Sequence, residues 1–481
     1  MNPHGFSLKT EERRLIDLAI TLARKKKIKL YLVGGYLRDI FLGRRKENPD
    51  IDFTLKRGAI RFAREFARAA GGGFVALDKG HGCGRAVIKK NNRIYTLDFT
   101  DFRGKDLKED LLRRDFTINA LCVDAEEFSA KELEKAVIDP YLGRRDLKKK
   151  TVRQISEKAF DDDPLRILRA FSLAATFGFK IEKDTLRQIR SKAGKLSIVS
   201  FERIRDELFK IWENHGSFGY FEQLDKFKIL KIIFPEIEPM RGLNQGPYHH
   251  LNVWRHSLET FRQLEILFKE LENNSDVRSY LDEVISPSRS RRALMKLGAL
   301  LHDIGKPAAL RREEGKIKFH GHERIGQNIT KEIAQRLKLS NDELDALGKM
   351  VLWHLRPGYL ADSEEPTGRA VFRYFRDAGN ESVSTLIISL ADQRSTKGPL
   401  TTRKSRLLHE RVCRGLIKDY FKRKKEKKPE RLINGDELLK KFKLKPSPLI
   451  GKMLREIEEL QAIGKIKTKQ EALRAAAKLT K

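Results

Sequence analysis

The segment NPDIDFTL holds two aspartates, Asp50 and Asp52, one residue apart in a run patterned as a β-strand. Alternate residues of a strand point to one face. Two carboxylates placed so repel each other unless a cation lies between them. Just upstream, KLYLVGG reads as a short apolar strand ending in Gly34-Gly35, and YLRDIFLG follows as a helix. A Gly-Gly turn lets a phosphate approach the backbone without meeting a Cβ. The start of the next helix offers N–H groups and its dipole to that phosphate. Arg38 lies in the first turn, placed for a triphosphate, and Gly43 ends the helix as a left-handed cap. Hard oxygen ligands of this sort suit Mg²⁺. Two such ions can activate an attacking hydroxyl and stabilise a leaving pyrophosphate. A lone Asp-x-Asp is often a solvated turn; the glycines, arginine and helix before it carry the metal reading. Asp98, in RIYTLDFTDF, is a candidate third carboxylate from a neighbouring strand, the alternative being a plain strand-end acid.

A second constellation lies further along the chain. Seven of the eleven histidines fall between His249 and His354. The strongest signal is ALLHDIGKP, at the end of an apolar helix with Gly305 and Pro307 as stop signals. His302-Asp303 resembles the signature of HD-domain phosphohydrolases, whose wider pattern is His, His-Asp, further His, then Asp. The matching positions are His256, His302, Asp303, His322, His354 and Asp392, with His320 as an alternative to His322. Any one of these histidines alone reads as a core or surface residue; the ordered set does not. Imidazole and carboxylate on facing helices suit Mn²⁺, Fe²⁺, Ni²⁺ or Co²⁺. A metal there would make a water nucleophilic toward a phosphoester.

The elements that must position these residues divide the chain. Up to about residue 150, strand and helix signals mix: LIDLAITLA is helical in period, while IDFTL, GFVAL, RAVIKK and RIYTLDFT alternate as strands. Beyond that the strand signals largely vanish. DPLRILRAFSLAATFGF and FERIRDELFKIW are helical, with a break at GLNQGPYHH, and a last segment follows the basic stretch IKDYFKRKKEKKPER. A chain of 481 residues is long enough for about three domains. The net charge of +33 points to a polyanionic partner, most simply nucleic acid. Cys83, Cys122 and Cys413 form no CxxC pair, as expected in a reducing cytoplasm. The first residues lack a signal-peptide core, and no apolar run approaches the ~20 residues of a membrane span.

LVGGYLRDIFLG followed by DID resembles the first motif of the class II tRNA nucleotidyltransferases and bacterial poly(A) polymerases, in the polymerase β superfamily. RRDFTINAL (113–121), IDPYLGRRDLKKKTVRQI (138–155), DDPLRILRAFSLAATFGF (162–179) and FERIRDELFKI (201–211) resemble their second to fifth motifs, in family order. The resemblance implies an α+β fold: a nucleotidyltransferase head with a small mixed sheet over residues 1–150, then an all-α neck (151–240), an HD-type metal-binding domain (241–400) and a basic tRNA-binding segment (401–481). It implies untemplated addition of nucleotides to an RNA 3′ end from ATP or CTP, with two Mg²⁺ ions. Gly34, Gly35 and Arg38 would then hold the triphosphate. Arg114, Asp115 and Asn119 hold the places of nucleotide contacts, though Arg114 and Asp115 could also simply pair with each other. Asp163 and Arg166 match the acid and arginine that read the base edge, and residues three apart on a helix share a face. Arginine offers donors only and aspartate acceptors only. Arg169 is a phosphate or neighbour contact.

CCA-adding and CC-adding relatives carry a flexible loop between the last head strand and RRDFT, which helps switch the pocket from C to A. Here only Arg103 to Leu107 are available, which favours addition of the terminal A alone. Full CCA addition and poly(A) addition are the alternatives. An RNA phosphohydrolase or repair factor working through the HD site is a reading of a different class. The runs GRRDLKKK (143–150), RQIRSKAGK (187–195) and KRKKEKK (422–428) fit a phosphate-tracking surface for a tRNA acceptor arm, rather than DNA or a membrane. Each run taken singly reads as a solvated helix face. PSPLIGK, leading into a helix, either meets a phosphate or serves helix packing.

Overall fold

Alternating apolar residues in the first part of the chain resolve into a six-stranded sheet with strand order β3-β4-β5-β2-β1-β6. The structure, a computed structural model, describes residues 9–129, 132–286, 289–362, 364–426 and 430–479. The described residues fall into two compact units, 1–211 with 223–232 and 212–222 with 233–481.

In the first unit, β1 (Leu30–Val33), α1 (Gly35–Phe41) and β2 (Asp50–Leu55) follow one another closely. Next come α2 (Ala59–Ala70), β3 (Gly73–Asp78), β4 (Cys83–Lys90), β5 (Arg93–Asp101), α3 (Leu107–Leu112) and β6 (Cys122–Asp124). β2 pairs parallel with β5, with Asp52 opposite Asp98. β1 runs antiparallel to β2, with Val33 opposite Asp52. The sheet therefore brings the glycine turn and the aspartates to one edge. The inward face of the sheet is aromatic: Phe53 stacks on Phe99 at 5.2 Å. Phe62 and Phe66, one helical turn apart on α2, close over Phe99 at 5.0 and 5.3 Å. Burying side chains of this size stabilises by about 1.5–3 kcal/mol each. This core holds the site strands rigid.

Helices follow, among them Arg166–Phe177 and Lys183–Lys192, with a short parallel pair, Thr151–Val152 and Lys180–Ile181, at their start. The second unit is almost wholly helical. Its apolar centre is made by Val253–Leu271, Arg291–Leu301, Asn341–Trp353 and Ser382–Ser395. GLNQGPYHH lies outside any helix or strand. The helix Arg403–Lys425 carries the start of the KRKKEKK run, and Lys427 and Lys428 fall outside the described residues. The chain closes on Gly435–Phe442, Pro448–Ala462 and Lys469–Ala477, which bury Leu438, Met453, Ile457 and Ala472 among themselves. No helix among the described residues is long and apolar enough to cross a membrane.

Candidate functional site

Asp50, Asp52 and Asp98 stand together on β2 and β5, as the register requires. Asp50 accepts a hydrogen bond from the Thr96 hydroxyl at 2.7 Å, and Lys46 lies 3.5 Å from its other oxygen. Asp98 is gripped by the Arg85 guanidinium through two contacts of 2.7 Å. Burial pushes the Asp52 carboxyl up to about 6; Arg114 opposes this, while Asp98 and Asp50 add to it. Mutual repulsion of three acids is what a bound cation would relieve, so the donor set fits Mg²⁺.

The turn before α1 needs glycine at Gly34. Its φ is +79°, and a Cβ there would stand 3.1 Å from an Asp52 oxygen and 3.2 Å from Arg114 Nη1. Gly43, at φ +65°, takes the left-handed cap that its place after the helix predicts. Arg38 is buried beneath the turn. It donates to Asn119 Oδ1 at 2.6 Å and to Asp39 at 2.8 Å, with the Phe177 ring 4.5 Å away. Asn119 in turn donates to Asp115 at 3.0 Å, and Arg169 donates to Asp115 at 2.7 Å. Burial works against ionisation of Asp115. Arg169 and the hydrogen bonds from Asn119 and Arg169 outweigh it and hold the carboxyl down to about 2. One polar chain thus joins Arg38, Asn119, Asp115 and Arg169. The alternative pairing of Arg114 with Asp115 does not form; Arg114 faces the buried Asp110 at 3.5 Å instead.

Asp163 and Arg166 line the same cavity of about 630 Å³ as the aspartates. They do not share a helix face, contrary to the sequence expectation. Pro164 bars the residue before it from the helical region, and Asp163 is extended at φ −150°. The helix begins only at Arg166. Arg166 donates to the backbone carbonyls of Arg113 at 2.8 Å and of Arg114 and Ala159 at 3.2 Å each. Asp163 accepts from Arg203 at 2.8 Å. Sequence reasoning missed Asp39, Asp110 and Lys46 as pocket residues. The one available signal was the i, i+4 spacing of Asp110 and Arg114.

The second unit gathers all six HD positions. His256, His302 and Asp392 form one group, and Asp303, His322 and His354 another, the ligand atoms within each group lying within 4.8 Å of one another. His320 is exposed and takes no part. The residues come from helix ends. His302 and His354 cap the helices Arg291–Leu301 and Asn341–Trp353, and His322 opens His322–Arg336. These three rings each direct Nδ1 to the carbonyl three residues earlier, at 2.8, 2.7 and 2.8 Å for His302, His354 and His322. Such bonds fix ring orientation and leave Nε2 for a metal. Asp303 stands between the groups. Its Oδ2 lies 3.2 Å from His302, and its Oδ1 lies 3.3 Å from His322 and 3.7 Å from His354. Asp392 meets His256 at 2.8 Å. Burial disfavours charge on His302, but Asp303 outweighs it and raises the imidazole's pKa. Asp303 and Asp392 are both held below the usual carboxylate range; burial opposes this, and neighbouring histidines prevail. Gly305 lets the HDIGKP turn press on the next ligand, since a Cβ would stand 2.1 Å from the His322 carbonyl oxygen.

A Gly-Gly turn over paired strand carboxylates, in a mixed sheet, defines a nucleotidyltransferase head. Residues 30–153 match the Poly A polymerase head domain family, and residues 253–397 match the HD domain family. Residues 178–241 match an RNA- and SrmB-binding site of polymerase A, and residues 416–477 match tRNA nucleotidyltransferase domain 2. An A-adding tRNA nucleotidyltransferase of Deinococcus radiodurans is 30% identical over 92% of this chain and 93% of its own. A CC-adding tRNA nucleotidyltransferase of Thermus thermophilus is 29% identical, over 92% and 91%. The Thermotoga maritima CCA-adding enzyme complexed with tRNA shares the fold at a TM-score of 0.66 and 23% identity, over 98% of this chain and 97% of its own. The chain belongs to the tRNA nucleotidyltransferase and poly(A) polymerase family, in its HD-containing form. It is a nucleotidyltransferase, and enzymes of this class use divalent metal ions such as Mg²⁺.

Proposed function

We propose that this protein adds the 3′-terminal nucleotide of the CCA end to tRNA, with AMP from ATP as the favoured unit and pyrophosphate as the leaving group. The observation that carries the reaction is the convergence of Asp50, Asp52 and Asp98 with Gly34, Gly35, Arg38, Asp163 and Arg166 on one cavity. Asp50 and Asp52 would hold two Mg²⁺ ions, with Asp98 as the third carboxylate beside the attacking hydroxyl. Bound there, the ions supply the positive charge that favours the alkoxide and the leaving pyrophosphate. The Gly34-Gly35 backbone and Arg38 receive the triphosphate. Asn119, Asp115 and Arg169 hold Arg38 in place, with Arg114 beside Asp52. Asp163 and Arg166 read the base edge when they exchange their present partners for it.

The choice of A is supported by the A-adding relative and by the short connection from β5 to α3. That connection is tied down. Phe102 N–H bonds to Leu55 O at 2.9 Å, Arg103 N–H to Asp110 at 3.0 Å and Lys105 N–H to Glu109 at 2.8 Å. A fixed connection favours a pocket that takes one base. The CC-adding relative at 29% identity supports CMP addition as a second reading. Three transcripts separate these: tRNA lacking CCA, tRNA ending in CC, and an unstructured RNA, each with ATP and CTP alone and together. AMP joined only to the CC-ending tRNA is expected. CMP joined to the first sinks the A-only reading, and long A tails on the third make the protein a poly(A) polymerase.

The six HD residues would hold transition-metal ions, His256, His302 and Asp392 in one group and Asp303, His322 and His354 in the other, with the two Asp303 oxygens facing His302 and His322. Ions bound there supply Lewis acidity for phosphoester hydrolysis. We assign 1–150 to catalysis, 151–240 to base selection, 241–400 to this metal site and 401–481 to the acceptor arm. The net charge of +33 supports the RNA partner. Three unpaired cysteines among the described residues suit the cytoplasm.

A further inference from the structure

The nucleotide cavity is lined by many cations, and nearly all are already engaged. Arg38, Arg114, Arg166 and Arg169 have the partners described above. Arg44 donates to the Thr176 carbonyl at 2.7 Å, and Lys210 reaches Glu207 at 2.8 Å. Arg103 is different. It lines the same cavity, its side chain is exposed, and it has no hydrogen-bond or ion-pair partner among the described residues. Its backbone is nonetheless fixed by the Asp110 carboxylate, in a connection only five residues long between Asp101 and Leu107. Gly104 next to it lies against Glu109, where a Cβ would come within 2.6 Å. An unpaired guanidinium on an anchored backbone is prepared for an anion that arrives with the substrate.

The position of Arg103 selects among the phosphates. The triphosphate end of the cavity is marked by Gly34, Gly35 and Arg38. Arg103 follows β5, where Phe102 N–H bonds to the Leu55 carbonyl at 2.9 Å at the far end of β2 from the glycine turn, and it lines the cavity together with Arg166, whose charge it opposes. It therefore stands at the end where the base is read, away from the glycine turn. The incoming base meets the RNA terminus there. We propose that Arg103 binds the phosphodiester joining the last two nucleotides of the RNA acceptor, and so positions the attacking hydroxyl. The proposal rests on the nucleotidyl-transfer reading above.

The test uses the full-length protein and a synthetic acceptor minihelix ending in CC, in two forms. One carries the natural final phosphodiester and the other a neutral methylphosphonate at that linkage. Anisotropy measures minihelix binding without turnover, and steady-state assays give KM for RNA and for ATP separately. Arg103→Ala is expected to weaken natural minihelix binding about tenfold, the size of one charge-assisted contact. KM for ATP stays unchanged, and Arg103→Lys recovers part of the loss. The methylphosphonate weakens wild-type binding by a similar factor but adds nothing to Arg103→Ala. A rise in KM for ATP with RNA binding intact would assign Arg103 to the triphosphate and overturn the proposal. Equal, additive losses from variant and methylphosphonate would also overturn it. A wild-type protein that binds the minihelix but transfers nothing would refute the transfer reading, while the binding cycle still decides the contact.

Discussion

The head pocket and the histidine cluster both gather candidate metal ligands, yet by opposite means. In the head, the acids sit on adjacent strands, and their proximity follows from a six-residue parallel register. The pocket is open, and its acids are balanced by arginines and a lysine. In the helical unit the ligands come from helix ends far apart in sequence, and five of the six are almost fully buried. Three of its histidines are locked by their own backbone. The difference is one of task. A pocket that admits a nucleotide and an RNA end must stay solvated and exchange partners. A closed histidine and carboxylate cluster must be pre-organised, because a misplaced ligand cannot be corrected by water.

If the two sites are separate devices, substitutions in each should leave the other intact. Asp50→Ala is expected to lower AMP transfer by at least ~10³-fold, since several kcal/mol of charge stabilisation is lost, while the transition-metal content measured by mass spectrometry stays unchanged. His302→Ala should do the reverse: metal content falls and transfer persists. Loss of transfer in His302→Ala would join the two sites into one device. Within the head, Asp163→Ala should reduce discrimination between ATP and CTP by about 10–100-fold, the worth of one base-edge contact, as read from competing incorporation.

Titration distinguishes the sites more finely. An unfolded aspartate ionises near about 3.9, whereas Asp52 in the folded head ionises at about 6. The folded state therefore keeps an extra proton between these values, and stability of the metal-free protein falls as pH rises through that window. Asp52→Asn removes the fall, so its melting temperature should exceed that of the wild type at pH 7 and approach it at pH 4. The same proton competes with Mg²⁺, so affinity should drop about tenfold per unit below pH 6. Asp303 and Asp392 are displaced the other way, and the helical unit should show no such weakening of carboxylate ligation at pH 5 to 6.

Much of this was legible in the residues alone. The glycine turn, the aspartate pair and the HD sequence order each lie within short segments, where local backbone rules apply. The roles of the second and fourth motifs were legible only in part. Asp163 and Arg166 were expected on one helix face, but Pro164 displaced the first and backbone carbonyls took the second. Asp115 was read as a nucleotide contact or a partner of Arg114; it does not pair with Arg114, and it is the hub between Asn119 and Arg169. Pro164 was a local signal for the first displacement, and the i, i+4 spacing of Asp115 and Asn119 for part of the hub; Arg169 and the carbonyls of Arg113 and Arg114 come from elements brought together by packing.

The sequence by itself determined the candidates for the chemistry: the carboxylates offered to Mg²⁺, the imidazoles offered to a transition metal, and the bare backbone offered to a phosphate. Those depend on residue type and local geometry, which a short segment carries whole. Only the tertiary structure decided which charges are already neutralised and which are left for a ligand. The sheet register set Asp98 beside Asp52, the fold turned the two oxygens of Asp303 toward different histidines, and the pinned connection after β5 left Arg103 without a partner among the described residues. Each is a sum over neighbours distant in sequence, and a charge is spent or free only in that company.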